Sequence, residues 1–119
     1  MYSIRTDSPT GLIEVDVAGE LDEPDLTAFC ADLRAAAARV SGPVRVLADL
    51  RAFRTRPTCF AELVERLQDV GRDAGVQRVA EVVADAGLAI ALDARSGGAA
   101  AALRRFACPD AARAWLSGK

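Results

Sequence analysis

The amino-acid sequence predicts an α/β domain: one mostly parallel, mixed sheet of about five strands with about four helices packed against it. Three observations carry this. An alternating run at Leu12–Val17 closes on Gly19-Glu20-Leu21-Asp22 and gives way to helical spacing. The short apolar run Val44-Arg45-Val46-Leu47-Ala48-Asp49 follows. Stretches of helix and strand character then keep alternating towards Lys119. Helix crossovers favour parallel pairing and right-handed connections, which gives the order β-β-α-β-α-β-α-β-α.

Tyr2-Ser3-Ile4-Arg5-Thr6 alternates, as does Leu12–Val17, where Ile13, Val15 and Val17 share one face and Glu14 and Asp16 the other. Asp7-Ser8-Pro9-Thr10-Gly11 between them carries turn chemistry, so the two runs form a hairpin. Asp22 is placed to cap a helix whose first turn holds Glu23, Pro24 and Asp25, with the acids suited to the positive end of the macrodipole. Leu26, Phe29, Cys30, Leu33, Ala37 and Val40 repeat at helical spacing until Gly42-Pro43 stops them. Val44–Asp49 reads as a buried central strand.

Residues 50–56 read as a polar loop. Pro57 opens a second helix with a core stripe of Phe60, Leu63, Val64, Leu67 and Val70, and Glu62 and Arg66 one turn apart on its wet face. Gly71 and Gly75 mark its end. Val79–Ala84 is a fourth strand, and a third helix spans Ala86 to Ser96 through Leu88, Ile90 and Leu92 before Gly97-Gly98. The alanines at 99–102 favour helix, but 103–107 fall where a fifth strand is needed and are read as strand. A last helix starts at Pro109-Asp110 and buries Ala111, Ala114, Trp115 and Leu116.

The 119 residues suit one domain spanning 1–119. Hydrophobic residues make up 51% and aromatics only 5%, which suits small-residue helices on a sheet rather than an aromatic-rich sandwich. A net charge of −2 supplies no basic field for nucleic acid. Cys30, Cys59 and Cys108 share no CxxC spacing, which argues against a disulfide framework and for a reducing compartment. No apolar run approaches the roughly 18–20 residues of a membrane helix, and the first residues lack a signal pattern. The expectation is a cytoplasmic domain with neither nucleic acid nor membrane as partner. The chain has no histidine, which removes Ser-His-Asp, Cys-His and His-metal sites together. No cofactor, metal or enzymatic activity is expected.

Four stretches resemble the anti-sigma-factor-antagonist (STAS, SpoIIAA-like) domains: Gly19-Glu20-Leu21-Asp22, Val44–Asp49, Glu81–Ala84 leading into Asp85-Ala86, and Leu103–Phe106. The chain is similar to divergent lone-domain members. The resemblance implies the STAS fold and a role in bacterial signalling through a protein partner of the sigma or anti-sigma type. In that family an Asp-Ser-Ser/Thr-Gly motif opens the second helix and carries the phosphorylated hydroxyl. Aligned without gaps from Asp49 to Gly75, the motif falls on Pro57-Thr58-Cys59-Phe60. Thr58 takes the first hydroxyl position, Cys59 the usual acceptor and Phe60 the glycine, so the resemblance implies a lost switch. An offset of a few residues brings in Thr55 instead.

The residues of this loop also have a physical reading. Arg51, Arg54 and Arg56 precede a helix start whose unpaired amides attract anions, so a phosphate, carboxylate or acidic partner could dock there; the simpler reading is solvated surface. Cys59 is either a thiol activated by the helix start and Arg56 or a small hydrophobe beside Phe60. Asp22 and Asp49 fall at strand ends, where open α/β sheets bind ligands, although Asp22 is more simply a helix cap. Arg104-Arg105 reads as a second anion patch or, more simply, as an edge strand protected by charge. The expected function is a non-enzymatic regulatory interaction domain, with a small apolar-ligand or lipid-binding domain as the alternative and a homodimer left open.

Overall fold

The computed structural model describes residues 1–7, 10–40, 43–54, 65–66, 69–84 and 102–117. They build one mixed α/β sheet from β1 (Tyr2–Asp7), β2 (Leu12–Gly19), β3 (Val44–Phe53), β4 (Val76–Val82) and β5 (Ala102–Phe106), neighbours in that order. β1 and β2 are antiparallel; the other three pairings are parallel. Helix α1 (Glu23–Ala38) links β2 to β3, helical residues stand at 65–66 and 69–74 before β4, and helix α2 (Pro109–Ser117) follows β5.

The spatial order matches the chain order, and this decides where the helices go. Each parallel connection steps in one direction along the sheet, so right-handed crossovers fall on a single face. α1 and Val70 of the second helical stretch do share one cluster with Ile13, Val15, Val17, Val46, Ala48 and Leu50. The opposite face is then left open. α2 covers it, setting Ala112 and Leu116 on Leu47, Ala80 and Val82.

Local chemistry starts and stops these elements as the sequence indicates. Asp22 caps α1, its carboxylate accepting from the Asp25 amide at 2.9 Å. Leu26, Phe29, Cys30, Leu33 and Ala37 are buried along one stripe, with Val40 half-buried beyond it. Gly11, at φ 72°, closes the hairpin; a Cβ there would lie 2.4 Å from the Pro43 carbonyl oxygen, so only glycine fits. The Gly11 carbonyl in turn accepts from the Arg45 amide at 2.9 Å.

α2 has no basic residue in its last turn to answer its own carbonyls. Two arginines reach across from the sheet instead. Arg45 donates to Leu116 O at 2.6 Å and to Thr10 O at 2.7 Å, while Arg78 donates to Trp115 O at 3.0 Å. These cations satisfy orphan carbonyls at the negative end of the helix. The Arg78 guanidinium also lies 5.4 Å from the Trp115 ring centre, in cation–π range.

Several sequence expectations need correction. β3 runs on to Phe53, so 50–53 are strand rather than loop. β4 occupies Val76–Val82 rather than 79–84, because Arg78 is absorbed by α2 and Val76 pairs with Val44. In α2 the buried residues are Ala112 and Leu116, with Trp115 half-buried; Ala111 and Ala114 face solvent. Arg105 is not an edge guard: it pairs with Glu81 at 3.0 Å, with 12% and 7% of the two side chains exposed. Arg66 reaches Glu23 and Thr27 of α1, fastening the second helical stretch to it. Helical residues occur in three places among those described; the helix expected at 86–96 and the stripe residues Phe60, Leu63, Val64 and Leu67 lie outside them.

Leu47 is 4% exposed and fills the sheet beneath α2. Leu47→Ala should lower the free energy of unfolding by about 2–5 kcal/mol through the cavity it leaves, measured by urea denaturation. A loss below 1 kcal/mol would place Leu47 outside the core.

Candidate functional site

The carboxyl edge of the sheet, where open α/β folds present their binding loops, is organised by Gly19. This residue pairs with Phe53 and takes φ 69°, and its carbonyl accepts from the Arg54 amide at 2.8 Å. The left-handed turn throws the chain off the sheet into Glu20-Leu21-Asp22. Leu21 packs back on the core, while Glu20, Asp22 and Arg54 stay exposed. Of the candidate residues, this corner brings together Asp22, already engaged as the α1 cap, and Arg54. Thr55, Arg56, Thr58 and Cys59 lie outside the described residues.

Asp49 and Arg51 sit elsewhere. Asp49 lies inside β3 opposite Asp16, with Leu50–Phe53 still ahead of it. From Asp16 to Ala18 on β2, the partner strand advances from Asp49 to Ala52, so β3 carries an extra residue there. A bulge leaves an amide without a ladder partner and changes which face later residues take. Asp49 Oδ1 accepts the Arg51 amide at 3.1 Å, and Phe53 turns to the α1 face. The Arg51 guanidinium then clamps the same carboxylate at both oxygens, at 3.0 and 2.7 Å. This fork holds the Asp49 carboxyl below the usual carboxylate range, and the bulge amide reinforces it against partial burial.

Around Asp49 the face carrying α2 holds an ionic row that the sequence analysis did not single out. Arg5 of β1 meets Asp16 at 2.9 Å and Glu14 at 3.5 Å. Arg113 of α2 reaches Glu14 from the other side at 2.5 Å. Glu14, Asp16, Asp49, Leu47, Val82 and Pro109 border a small, shallow open cleft. The alternation that exposed Glu14 and Asp16 was legible; their partner Arg113 comes from the far end of the chain. Each of the three carboxylates has a guanidinium against it, so none is poised as a free base.

The remaining groups are placed by packing. Cys30 is buried, and burial pushes its thiol up despite the Arg66 and Arg34 cations nearby, which suits a core residue. Cys108 is exposed, and its carbonyl accepts the Ala112 amide at the start of α2. The Tyr2 hydroxyl donates to Asp32 at 2.6 Å, which pushes its ionisation up to about 12. Among the described residues no cluster of three or more Asp, Glu or Cys is placed to hold a metal, and no helix is long and apolar enough to cross a membrane.

This architecture has relatives. The model of the SpoIIAA-like family matches residues 12–117, and the chain belongs to that family. Among solved structures it is similar to an uncharacterized protein of the DUF3478 family with a SpoIIAA-like fold from Shewanella loihica PV-4. The two superpose with a TM-score of 0.70 at 16% identity, over 98% of this chain and 92% of that one. At that identity the likeness concerns the fold. No curated protein matches the chain.

The Asp49 clamp has a pH signature. Its folded carboxyl ionises below the ordinary aspartate value of 3.8, so the stabilisation is present above pH 3.8 and disappears as pH falls through the folded value. Arg51→Ala should therefore be less stable than the parent chain at neutral pH, with the gap closing on acidification. Thermal melts between pH 7 and pH 2 measure it, and a gap that stays constant across that range would contradict the clamp.

Proposed function

We propose that this SpoIIAA-like chain is a non-enzymatic regulatory module that acts by docking to a protein partner through the carboxyl edge of its sheet. The observation that carries this reading is the contrast between two places where charge collects among the described residues. On the sheet face, Glu14, Asp16 and Asp49 are each spent on an arginine. At the edge, Glu20 and Arg54 stand exposed on a backbone corner fixed by Gly19, a rigid platform for loops that read another surface. The chain also lacks histidine, the commonest general acid–base group.

A sigma or anti-sigma type regulator in a bacterial cytoplasm is the partner class that family membership favours. With Cys59 at the acceptor position and Phe60 in place of the glycine, the phosphorylation switch of such systems is lost in this reading. For the alternative of an apolar-ligand domain, the residues that could line a pocket are Leu88, Ile90 and Leu92; they lie outside the described residues, and no observation favours it.

The test is co-purification from the native host, comparing the parent chain with the double variant Glu20→Lys, Arg54→Glu. A specific protein should accompany the parent and be reduced at least tenfold with the variant, while circular dichroism shows both folded. Incubation with an anti-sigma kinase should leave Thr55, Thr58 and Cys59 unmodified by mass spectrometry. Equal recovery of the partner with both chains would move the docking surface away from this edge, and phosphate on either threonine would restore the switch.

A further inference from the structure

β1 is an edge strand, and its hydrogen-bonding pattern says which backbone groups it leaves open. Ala18 N donates to Met1 O at 2.8 Å, and Gly11 N to Asp7 O at 3.0 Å, so the odd-numbered residues turn inward to β2. Hydrogen-bonded and non-hydrogen-bonded pairs alternate along an antiparallel ladder. The amides and carbonyls of Tyr2, Ile4 and Thr6 therefore point out of the sheet.

Exposed edges are normally blunted by lysine, proline, a bulge or a projecting charge. β1 has none of the first three, and its charges are Arg5 and the exposed Asp7 at its end. Its register against β2 is unbroken from Tyr2 to Asp7, and the strand contains neither lysine nor proline. Arg5, its one cation, is drawn back over β2 by Asp16 and Glu14.

We propose that this edge is a dimer interface, occupied by β1 of a second copy in antiparallel register about a two-fold axis at Ile4. Such an interface is isologous, so one strand must complement itself. Centred on Ile4, the register sets Ile4 against Ile4, Tyr2 against Thr6 and Thr6 against Tyr2. All three outward pairs of backbone groups are then satisfied; centring on Tyr2 or Thr6 leaves some unmatched. β-Branched and aromatic residues meet on the α1 face, which favours pairing. On the other face Arg5 meets Ser3, and no like charges stand directly opposite.

The helices add charge complementarity. α1 returns from the carboxyl edge of β2 to the start of β3, so it runs in the same direction as β1. Its flank beside β1 is marked by the Tyr2–Asp32 bond, and Asp25, Asp32 and Arg39 follow one another along it at seven-residue spacing, all exposed. The two-fold axis reverses the second helix. The acidic start of one flank thereby faces the Arg39 end of the other.

Light scattering at high micromolar concentration should give about 25 kDa, twice the 12.5 kDa of one chain. Thr6→Pro removes an outward amide that no bond among the described residues uses, so it should leave the fold intact by circular dichroism and return the mass to one chain. A second measurement does not depend on that variant. Ile4→Cys chains should form a 4–4 disulfide under mild oxidation, because facing residues in a hydrogen-bonded pair stand about 5.5 Å apart at Cα. Ser3→Cys chains should bridge at that position only when mixed with Arg5→Cys chains, and peptide mapping identifies the bonds. A parent chain of single mass, with or without a foreign strand bound at β1, overturns the proposal. So does a dimer that survives in folded Thr6→Pro, or a 3–3 disulfide.

Discussion

Strand β3 has to satisfy two faces at once, and the rest of the structure follows from how it does so. Val44, Val46, Ala48 and Leu50 enter the α1 side of the core, while Leu47 enters the α2 side between two residues that carry charge. The right-handed connections put α1 and the helical residues around Val70 on the first face. The second face, with fewer apolar residues, is closed by the short helix α2. Arg45 makes that possible, since its guanidinium bonds the end of α2 and the Thr10 carbonyl of the hairpin together. One side chain in the centre of the sheet thus ties the first turn of the chain to its last helix.

The same strand also shows how charge inside the sheet is used for structure. Its bulge would strand the Arg51 amide, and Asp49 takes it. Having done so, Asp49 is held by the Arg51 fork and is poorly suited to proton transfer. Glu81 and Arg105 show the same economy on the α1 side, where a buried carboxylate is answered by a cation from the neighbouring strand. Removing one member of such a buried pair strands the other, so these charges specify the strand arrangement more than they add stability. The SpoIIAA-like scaffold therefore keeps these sheet charges satisfied, while Glu20 and Arg54 stand exposed at the carboxyl edge.

Much of this was legible in the sequence, and the exceptions share a cause. The alternation of Ile13, Val15 and Val17, the Asp22 cap and the α1 stripe report local periodicity, which needs no knowledge of partners. The start of α2 at Pro109 was read for the same reason. Polar residues inside elements were misread wherever a distant partner neutralises them. Asp49-Leu50-Arg51 looked like a strand giving way to a loop, yet it is a bulge that bonds itself. Arg78 looked like a residue before a strand, yet it is taken up by Trp115. Arg105 looked like an edge charge, yet it meets Glu81. In the candidate site, Asp22 was found because capping is local. The Arg5–Glu14–Arg113 row was missed because it joins β1, β2 and α2, which only the fold brings together.

If β3 is the element on which both faces depend, its amides can open only when the whole molecule unfolds. Native-state hydrogen exchange, read residue by residue, measures this directly. Amides of Val46, Leu47 and Ala48 should exchange slowest in the chain, with opening free energies equal to the global value from denaturant unfolding, and amides of β1 and α2 should open at lower cost. Exchange from β3 that is faster than from α2, or that is unaffected by denaturant at a level that unfolds the chain, would contradict the account.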